Sequence, residues 1–236
     1  MQIEPPRGFR FFGKMRTLVT IFFFCVIARA GAPPELTAAL AGFRTEAPTG
    51  WSFTQTTVGE GKSTVERFDL SKSEFERWSL VQQDGRAPTA DETQKYLEMH
   101  SRRSRGGTAP KLTDQLDLTS LETVANTPER ATYRCLLKPG EAGDKTAKFL
   151  RATLVFHKPT KTIESFELAS ADKFKPTFGV TIAEMKTTMT YSLPAGDTPS
   201  LPQKVAVRVR GRAFLVKSLD ADMTVTFSDY ARAGKR

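Results

Sequence analysis

The alternation of apolar and polar residues in the last third of the chain constrains its fold more than any other feature. In "KVAVRVRGR" Val205, Val207 and Val209 alternate with Ala206, Arg208 and Arg210, and "MTVTFSDY" (residues 223–230) continues the alternation after a short turn. Successive side chains of a β-strand point to opposite faces, so this alternation predicts strands with one buried face and one face in water. Such strands are typical of an antiparallel sheet.

Runs of the same kind fill most of the chain after residue 50. They are rich in threonine, valine and aromatic residues, and turn sequences such as Asp84-Gly85, 126–129 and 158–161 separate them. The third run, "SEFERWSLVQQ" (73–83), is predicted to be a strand along its whole length. We predict about ten strands in a near-continuous meander, and a sheet of that width must curl. The predicted fold class is therefore α+β, mostly antiparallel β: a curled meander sheet, or half-barrel, with two helices.

The two helices are predicted from spacing and capping signals. "PPELTAALAGF" begins with prolines and places Leu36, Leu40 and Phe43 at helical spacing before the first strand. After the third strand, Thr89 and Glu92 form a capping box that starts a helix, and Gly106-Gly107 is predicted to end it. We expect His100 to be an exposed histidine on the last turn of this second helix.

The N-terminal 30 residues have the pattern of a secretory signal peptide. Basic residues precede the apolar run "LVTIFFFCVIA", and small residues follow it in "ARAGA". We predict cleavage after Ala30, a single domain over 31–236, and a periplasmic location. An uncleaved membrane anchor is the alternative, and Met15 is an alternative start. Cys25 lacks the small residues that precede the cysteine of a lipoprotein signal, so lipidation is not predicted.

The charge balance points to a solvated surface. Residues 1–30 hold five Lys/Arg and one acid, so the predicted mature chain carries 30 Lys/Arg against 25 Asp/Glu, a net charge of +5. That charge allows an anionic membrane surface as a partner. Arg208, Arg210 and Arg212 lack the interleaved aromatic residues of a single-strand platform, so no nucleic acid is expected. We expect these arginines to lie on the solvent face of a strand close to the sheet edge, where charge resists aggregation.

Motifs for catalysis and metal binding are absent from the sequence. It has no phosphate-binding loop, nucleophile elbow, HExxH or CxxC. Cys135 is the only cysteine after residue 30, so no internal disulfide is expected, and with His100 and His157 it cannot form an ordinary zinc site. We therefore predict a protein that is not an enzyme, with no cofactor and no metal. Dispersed carboxylate pairs leave a hydrolase open as a lesser alternative.

The order of predicted elements resembles the half-barrel of the bacterial periplasmic lipoprotein carriers and their outer-membrane receptors. The resemblance covers the whole predicted mature chain, but the functional arginine of the carriers has no matched position here. Two segments, "ERWSLVQQDGRAPTADE" and "GRAFLVKSLDADMTVTFSDY", are also similar to segments of uncharacterised exported proteins of Gram-negative bacteria. This second resemblance implies that the protein is exported, and it implies no activity.

The half-barrel resemblance implies an apolar cavity that binds a lipid or an acylated partner such as a lipoprotein. Residues on the apolar faces of the strands are then the candidate ligand-binding residues: Met185, Met189, Tyr191, Val207, Phe214 and Phe227. Two alternatives remain open at this stage, an envelope structural or assembly factor with a filled core and no ligand, and the hydrolase. The sequence does not identify the ligand, a protein partner or the oligomeric state.

Overall fold

The structure is a computed structural model, and it describes most of the chain after residue 30. The described residues are 31–43, 45, 49–103, 112–139, 146–214 and 216–232. The predicted signal peptide (1–30), the predicted helix stop at Gly106-Gly107 and most of the loop 138–145 lie outside them.

Two helices and a single helical turn accompany eleven strands. The helices are α1 (Pro34–Gly42), α2 (Ala90–Arg103) and the four-residue α3 (Leu112–Gln115). The strands before residue 160 are β1 (Trp51–Gly59), β2 (Lys62–Phe68), β3 (Trp78–Gln83), β4 (Leu116–Asn126), β5 (Arg130–Leu137) and β6 (Leu150–His157). The later strands are β7 (Thr162–Ser170), β8 (Val180–Tyr191), β9 (Pro202–Ala213), β10 (Lys217–Ser218) and β11 (Ala221–Arg232).

All eleven strands belong to one antiparallel sheet that curls but does not close. Its order is β3-β2-β1-β11-β9-β8-β7-β6-β5-β4, and the two-residue β10 pairs with β9. Within the described residues, β3 and β4 are the two edges of this sheet. The predicted fold class, a mostly antiparallel curled sheet with two helices, is confirmed.

The order of strands corrects two details of the prediction. The meander is not continuous, because β11 returns to pair with β1, and the segment that contains α2 then connects one edge strand, β3, to the other, β4. In addition, β9 lies in the middle of the sheet between β8 and β11, so its arginines are not close to an edge. Arg208 and Arg210 are on the solvent face, as expected, and both pair with Asp222 of β11.

The third strand is shorter than predicted. Residues Glu74–Glu76 form a 3-10 turn, and β3 begins only at Trp78. The hydroxyl of Ser73 donates to the Glu76 carboxylate over 2.7 Å, and the Glu76 N–H donates to the Ser73 carbonyl over 2.9 Å. These local hydrogen bonds give the backbone an alternative to the β ladder, which explains the error.

Helix α1 covers an aliphatic core built by the strands between β4 and β8. Leu36 and Leu40, four residues apart on one face of α1, are fully buried. The other buried members of this cluster are Leu116, Ala131, Tyr133, Cys135, Ala152, Leu154, Phe156, Ile163 and Phe166. The predicted first helix is therefore confirmed. Burial raises the pKa of the Cys135 thiol to about 11, as expected for a packing residue.

Directly paired residues show that one face of the sheet is continuous beneath both helices. In an antiparallel ladder, residues opposite each other lie on the same face. Phe166, under α1, pairs with Met189, Met189 with Val205, Val205 with Val225, and Val225 with Thr57 of β1. Gln55, two residues before Thr57, shares its face and pairs with Glu66, which contacts His100 of α2. We call this the inner face.

The start of α2 confirms the predicted capping box. The Glu92 N–H donates to the Thr89 hydroxyl over 3.3 Å, and the Thr89 N–H donates to the Glu92 carboxylate over 2.8 Å. The Arg86 guanidinium also binds that carboxylate over 2.7 Å. Arg86, followed by the Thr89 N–H, lowers the pKa of Glu92 to about 2. Glu92 therefore caps the helix, and both Arg86 and the Thr89 N–H hold its carboxylate.

The predicted turn Asp84-Gly85 connects β3 to this cap. Both residues have positive φ, 51° and 78°, as in the two-residue turns that reverse a chain tightly, and glycine adopts such angles without strain. The Asp84 carboxylate accepts the N–H of Ser63 over 2.8 Å, and that bond is the first cause of its lowered pKa. The turn is thereby tied to β2.

Among the described residues, no helix is both long enough and apolar enough to span a membrane.

Candidate functional site

Three strands in the middle of the sheet present an apolar surface on the inner face. These strands are β8, β9 and β11. Neither helix packs mainly on them, because α1 packs chiefly on β7 and α2 on β3. We call this surface the central strip, and its members are Met185, Thr187, Met189, Val205, Val207, Val209, Met223, Val225 and Phe227.

The central strip is only partly shielded from solvent. Met223 is 40% exposed, and the other members are half-buried, whereas the cluster under α1 is almost fully buried. The sequence explains the strip, since alternating valines and methionines on neighbouring strands place their side chains opposite each other. Methionine is flexible and polarizable, so it adapts to ligands of irregular shape.

A cavity of about 640 Å³ lies between α2 and the segment that contains β3, and β1 and β2 separate it from the central strip. Rings and aliphatic side chains make up much of its wall, with a few charged groups near the 3-10 turn. Its lining includes Phe75, Trp78, Leu80, Tyr96, Leu97 and His100. This volume falls within the range of pockets that hold small ligands.

Aromatic rings connect the central strip to this cavity. Phe227 of the strip lies 5.8 Å from Phe53, measured between ring centroids, and Phe53 lies 5.7 Å from Trp78. Trp78 in turn stacks on His100 at 5.4 Å. Edge-to-face and offset contacts at such distances are the favoured geometries of aromatic pairs. The strip and the cavity wall are therefore linked through ring contacts of the buried Phe53.

A carboxylate and an imidazole meet behind the cavity. His100 Nε2 lies 3.3 Å from Glu66 Oε1, and Gln55 donates to the other carboxylate oxygen of Glu66 over 2.8 Å. The side chains are 20% exposed for His100 and 12% for Glu66. Tyr96 lies one helical turn before His100, with ring centroids 4.3 Å apart. The expectation of an exposed His100 was wrong, because the i, i+4 spacing turns both residues towards the sheet.

The Glu66–His100 pair is an acid–base pair by composition, but its contacts fix α2 against the sheet. His157, the other histidine, bonds through Nδ1 to the Thr160 hydroxyl at 2.7 Å in its own turn. In the part of the chain that the structure describes, no group of three or more His, Cys, Asp or Glu side chains is arranged to hold a metal ion.

The structure brings together four of the six predicted ligand-binding residues. Met185, Met189, Val207 and Phe227 all belong to the central strip. Their assignment as ligand-binding residues stays a prediction.

The other two predicted residues lie elsewhere. Tyr191 is buried at the end of β8, where its ring contacts Phe43 with centroids 4.8 Å apart and its hydroxyl lies 3.8 Å from the Met189 sulfur. Burial raises the pKa of the Tyr191 hydroxyl. Phe214 lies in the turn after β9 and is 66% exposed. Phe214 is therefore not part of the central strip.

Sequence reasoning missed Glu66, Trp78, Tyr96 and His100. Two signals were present. Tyr96 and His100 are four residues apart on a predicted helix, and Glu66 shares a strand face with Phe68, which made it an acid on an apolar face. An acid in that position needs a partner when it is buried.

Comparisons of the chain with protein-family models, with curated proteins and with solved structures found no match in any of the three.

Proposed function

We propose that the protein is an exported, non-enzymatic binding protein that holds an acyl chain, from a lipid or an acylated partner, against the central strip. The observation that supports this proposal most is the strip itself, a partly exposed surface of valines, methionines and Phe227. Contiguous apolar surface of this kind in a folded protein marks a binding site more often than an accident of packing.

The dimensions of the strip suit an extended chain. Val205 to Val209 spans four residue steps, or about 13 Å at the usual strand rise, and three neighbouring strands cover about 10 Å in the other direction. Each methylene group removed from water contributes roughly 0.8 kcal/mol. Ten methylenes would contribute roughly 8 kcal/mol before the entropy of binding is subtracted, which is enough for useful affinity.

The cavity beside α2 extends the surface that an acyl chain would cover. Trp78 and Tyr96 offer ring faces there, and Phe53 and Phe227 link these rings to the strip. The curled, unclosed sheet carries both helices on its inner face, the side on which the proposal places the acyl chain. Export through the signal peptide is part of this proposal, and a mature N-terminus at Gly31 is its expected product.

A second candidate function is an assembly factor with a filled core and no ligand. The hydrophobic cluster beneath α1 favours it, because the side chains of this cluster are almost fully buried. The two candidates differ in what they expect of the strip. A carrier binds ligand there, whereas an assembly factor leaves it unoccupied.

The experiment compares two aspartates placed on opposite faces of one strand. Met223→Asp puts a charge on the central strip, while Thr226→Asp puts the same charge on the exposed outer face of β11. The probe is cis-parinaric acid, a fluorescent fatty acid, displaced by palmitate. We expect Met223→Asp to weaken binding by tenfold or more and Thr226→Asp to leave it unchanged.

Native mass spectrometry of the wild-type protein from its own envelope gives an independent measurement. The carrier proposal expects a co-purified lipid. Failure of the folded wild-type protein to bind the probe, together with a lipid-free spectrum, would overturn the proposal and favour the assembly factor. Equal binding by both aspartate variants would exclude the central strip as the site.

A further inference from the structure

Three large apolar side chains project from one end of the sheet. Phe178 is 92% exposed, Val216 is 88% exposed and Phe214 is 66% exposed. Phe178 lies in the connection between β7 and β8, and the other two lie in the turn between β9 and β10. We call these three side chains the apolar tip. A group of this kind is unusual in water and marks an interaction site.

The two connections that carry the apolar tip are held together. The Phe214 N–H donates to the Gly179 carbonyl over 2.6 Å. Gly179 has φ +74°, and a Cβ added there would lie 2.5 Å from the Phe214 ring, so only glycine fits. Phe214 itself has φ 48°, which is rare for a bulky residue. The structure therefore fixes Phe214 beside Gly179, next to Phe178.

Basic residues surround the apolar tip. They are Lys173, Lys175, Arg212 and Lys217, and all four are exposed. Among the described residues, the structure records no ion pair for any of them. The nearby acid Asp220 accepts the N–H of Gly211 over 3.0 Å, and Asp172 is the other acid in these connections. The net charge of these residues around the apolar tip is therefore positive.

We propose that the apolar tip inserts into the surface of an anionic lipid bilayer. A bilayer offers both features that the tip matches, an apolar interior and a negatively charged surface. Exposed aromatic and aliphatic side chains enter the headgroup boundary, while lysines and arginines bind anionic headgroups. Fixed connections lose little freedom on insertion, which favours binding by a small number of side chains.

This site goes beyond the proposed function, because it lies apart from the central strip and needs no acyl ligand. It also gives Phe214 a different role from the one predicted from the sequence. A protein that delivers or collects an acylated molecule would benefit from contact with the bilayer, but insertion of the tip can be tested without any cargo.

The first experiment measures partition of the full mature chain onto vesicles by flotation. The vesicles contain phosphatidylcholine and phosphatidylglycerol in equal amounts, and phosphatidylcholine alone serves for comparison. We expect the wild-type protein to bind the anionic vesicles. Phe178→Ser with Val216→Ser should lower the partition coefficient by about tenfold or more, because two exposed apolar side chains are removed.

The matched control is Val124→Ser. Val124 is an exposed valine on β4, outside the connections that carry the tip, and the substitution is the same as at Val216. Vesicle binding by Val124→Ser should equal that of the wild type. Because all substituted side chains are exposed, urea unfolding should show every variant as stable as the wild type.

A second experiment separates insertion from charge-driven adsorption. Tryptophan placed at position 216 should shift its emission to shorter wavelength on anionic vesicles, and lipids brominated on the acyl chain should quench it. Val124→Trp should show neither change. Lys173→Gln with Lys175→Gln should weaken binding to the anionic vesicles and leave the phosphatidylcholine result unchanged.

Three results would overturn the proposal: no vesicle binding by the wild-type protein, equal binding by the tip variant, or no quenching of tryptophan at position 216. Capture of another protein by the tip in a vesicle-free assay, with no lipid binding, would also count against the bilayer. Met223→Asp serves to distinguish the two sites, since it should bind vesicles normally even where it no longer takes up cis-parinaric acid.

Discussion

The two ends of the inner face carry one helix each, but the packing beneath the helices differs. Under α1, Leu36 and Leu40 contact a cluster of mainly aliphatic side chains that are almost fully buried, and a smaller cavity of about 450 Å³ lies beside the helix. Under α2, the helix meets the ring of Trp78 and the Glu66–His100 pair, beside a cavity of about 640 Å³. We refer to these as the α1 end and the α2 end. The cluster at the first end is almost fully buried, whereas the second end contains the larger of the two cavities.

The difference follows from the side chains that each end uses. Aliphatic residues at helical and strand spacing interdigitate and exclude solvent, as they do in most protein cores. At the α2 end, Glu66 and His100 need polar partners that a core of apolar side chains does not offer. The interior beneath α2 is therefore more polar than the interior beneath α1.

Truncation of a buried leucine at the α1 end should give the largest effect. Leu154 on β6 is fully buried between its cross-strand partners Tyr133 and Phe166. Leu154→Ala removes that packing and leaves a cavity, so the free energy of unfolding should fall by about 3 kcal/mol. Urea denaturation measures the change.

The same truncation at the α2 end tests the comparison. Leu97 on α2 lines the cavity and is already 42% exposed. Leu97→Ala should cost less than about 1 kcal/mol, since little packing is lost. If both variants lose the same stability, the α2 end is as closely packed in solution as the α1 end, and the comparison fails.

Separation of the Glu66–His100 pair should have the next largest effect. The pair is shielded from water, and Gln55 also donates to the carboxylate. Loss of either partner leaves a shielded polar group without its contact, so a double-mutant cycle on Glu66→Ala and His100→Ala should give a coupling energy of about 1–3 kcal/mol. The cycle cancels the loss of the ring contacts of His100.

The exposed pair Arg134–Glu122, on β5 and β4, is the control for this cycle. Its closest atoms are 3.4 Å apart, and both side chains are largely in water. Its coupling energy should be below about 1 kcal/mol. If the coupling energy of Glu66–His100 is no larger than that of the control, the pair is as exposed to water as the outer surface.

The sequence predicted the α1 end better than the α2 end, and the reason is periodicity. Leu36 and Leu40 on a helix, and Ala152, Leu154 and Phe156 on a strand, repeat at the spacing of their element. Such a repeat identifies a buried face without any knowledge of the partner. The strands, the capping box and the fold class were predicted from signals of the same local kind.

What the sequence did not predict depends on contacts between distant residues. The pairing of β11 with β1 joins segments about 170 positions apart, and no local pattern specifies it. The Glu66–His100 contact spans 34 positions and lies in a region of mixed polarity. His100 looked like an exposed end of a polar helix, because the side chains that shield it come from β2 and β3.

Removal of the cap of α2 should have a smaller effect than either change in packing. The Thr89 hydroxyl accepts the N–H of Glu92, whereas α1 begins at Pro33-Pro34 with no side-chain cap. Thr89→Ala should lower the free energy of unfolding by about 1 kcal/mol. Thr37→Ala on α1, whose hydroxyl donates to the Pro33 carbonyl over 3.2 Å, should change the free energy of unfolding by less than about 0.5 kcal/mol. Equal losses would mean that both helices depend on their first turns to the same extent.

The smallest expected effect is the pH dependence of the same cap. The Glu92 carboxylate, held by Arg86 and the Thr89 N–H, has a pKa of about 2 in the folded protein, against an ordinary value of 4.5. A lowered folded-state pKa means that the ionised carboxylate stabilises the fold at pH values above 4.5, and that this contribution is lost as the pH falls towards 2. Glu92→Gln removes the charge at every pH.

Thermal unfolding of the wild type and of Glu92→Gln across this window measures the contribution. The wild type should have the higher Tm at neutral pH, and the difference should shrink steadily between pH 4.5 and pH 2. Arg86→Met should move the pKa of Glu92 back towards 4.5, because Arg86 is the largest cause of the lowered pKa. The pH range over which the Tm difference shrinks should then become narrower. A Tm difference that stays constant across this range would show that Glu92 supports the cap through hydrogen bonds alone. The α2 end would then resemble the α1 end, whose helix starts without a charged cap.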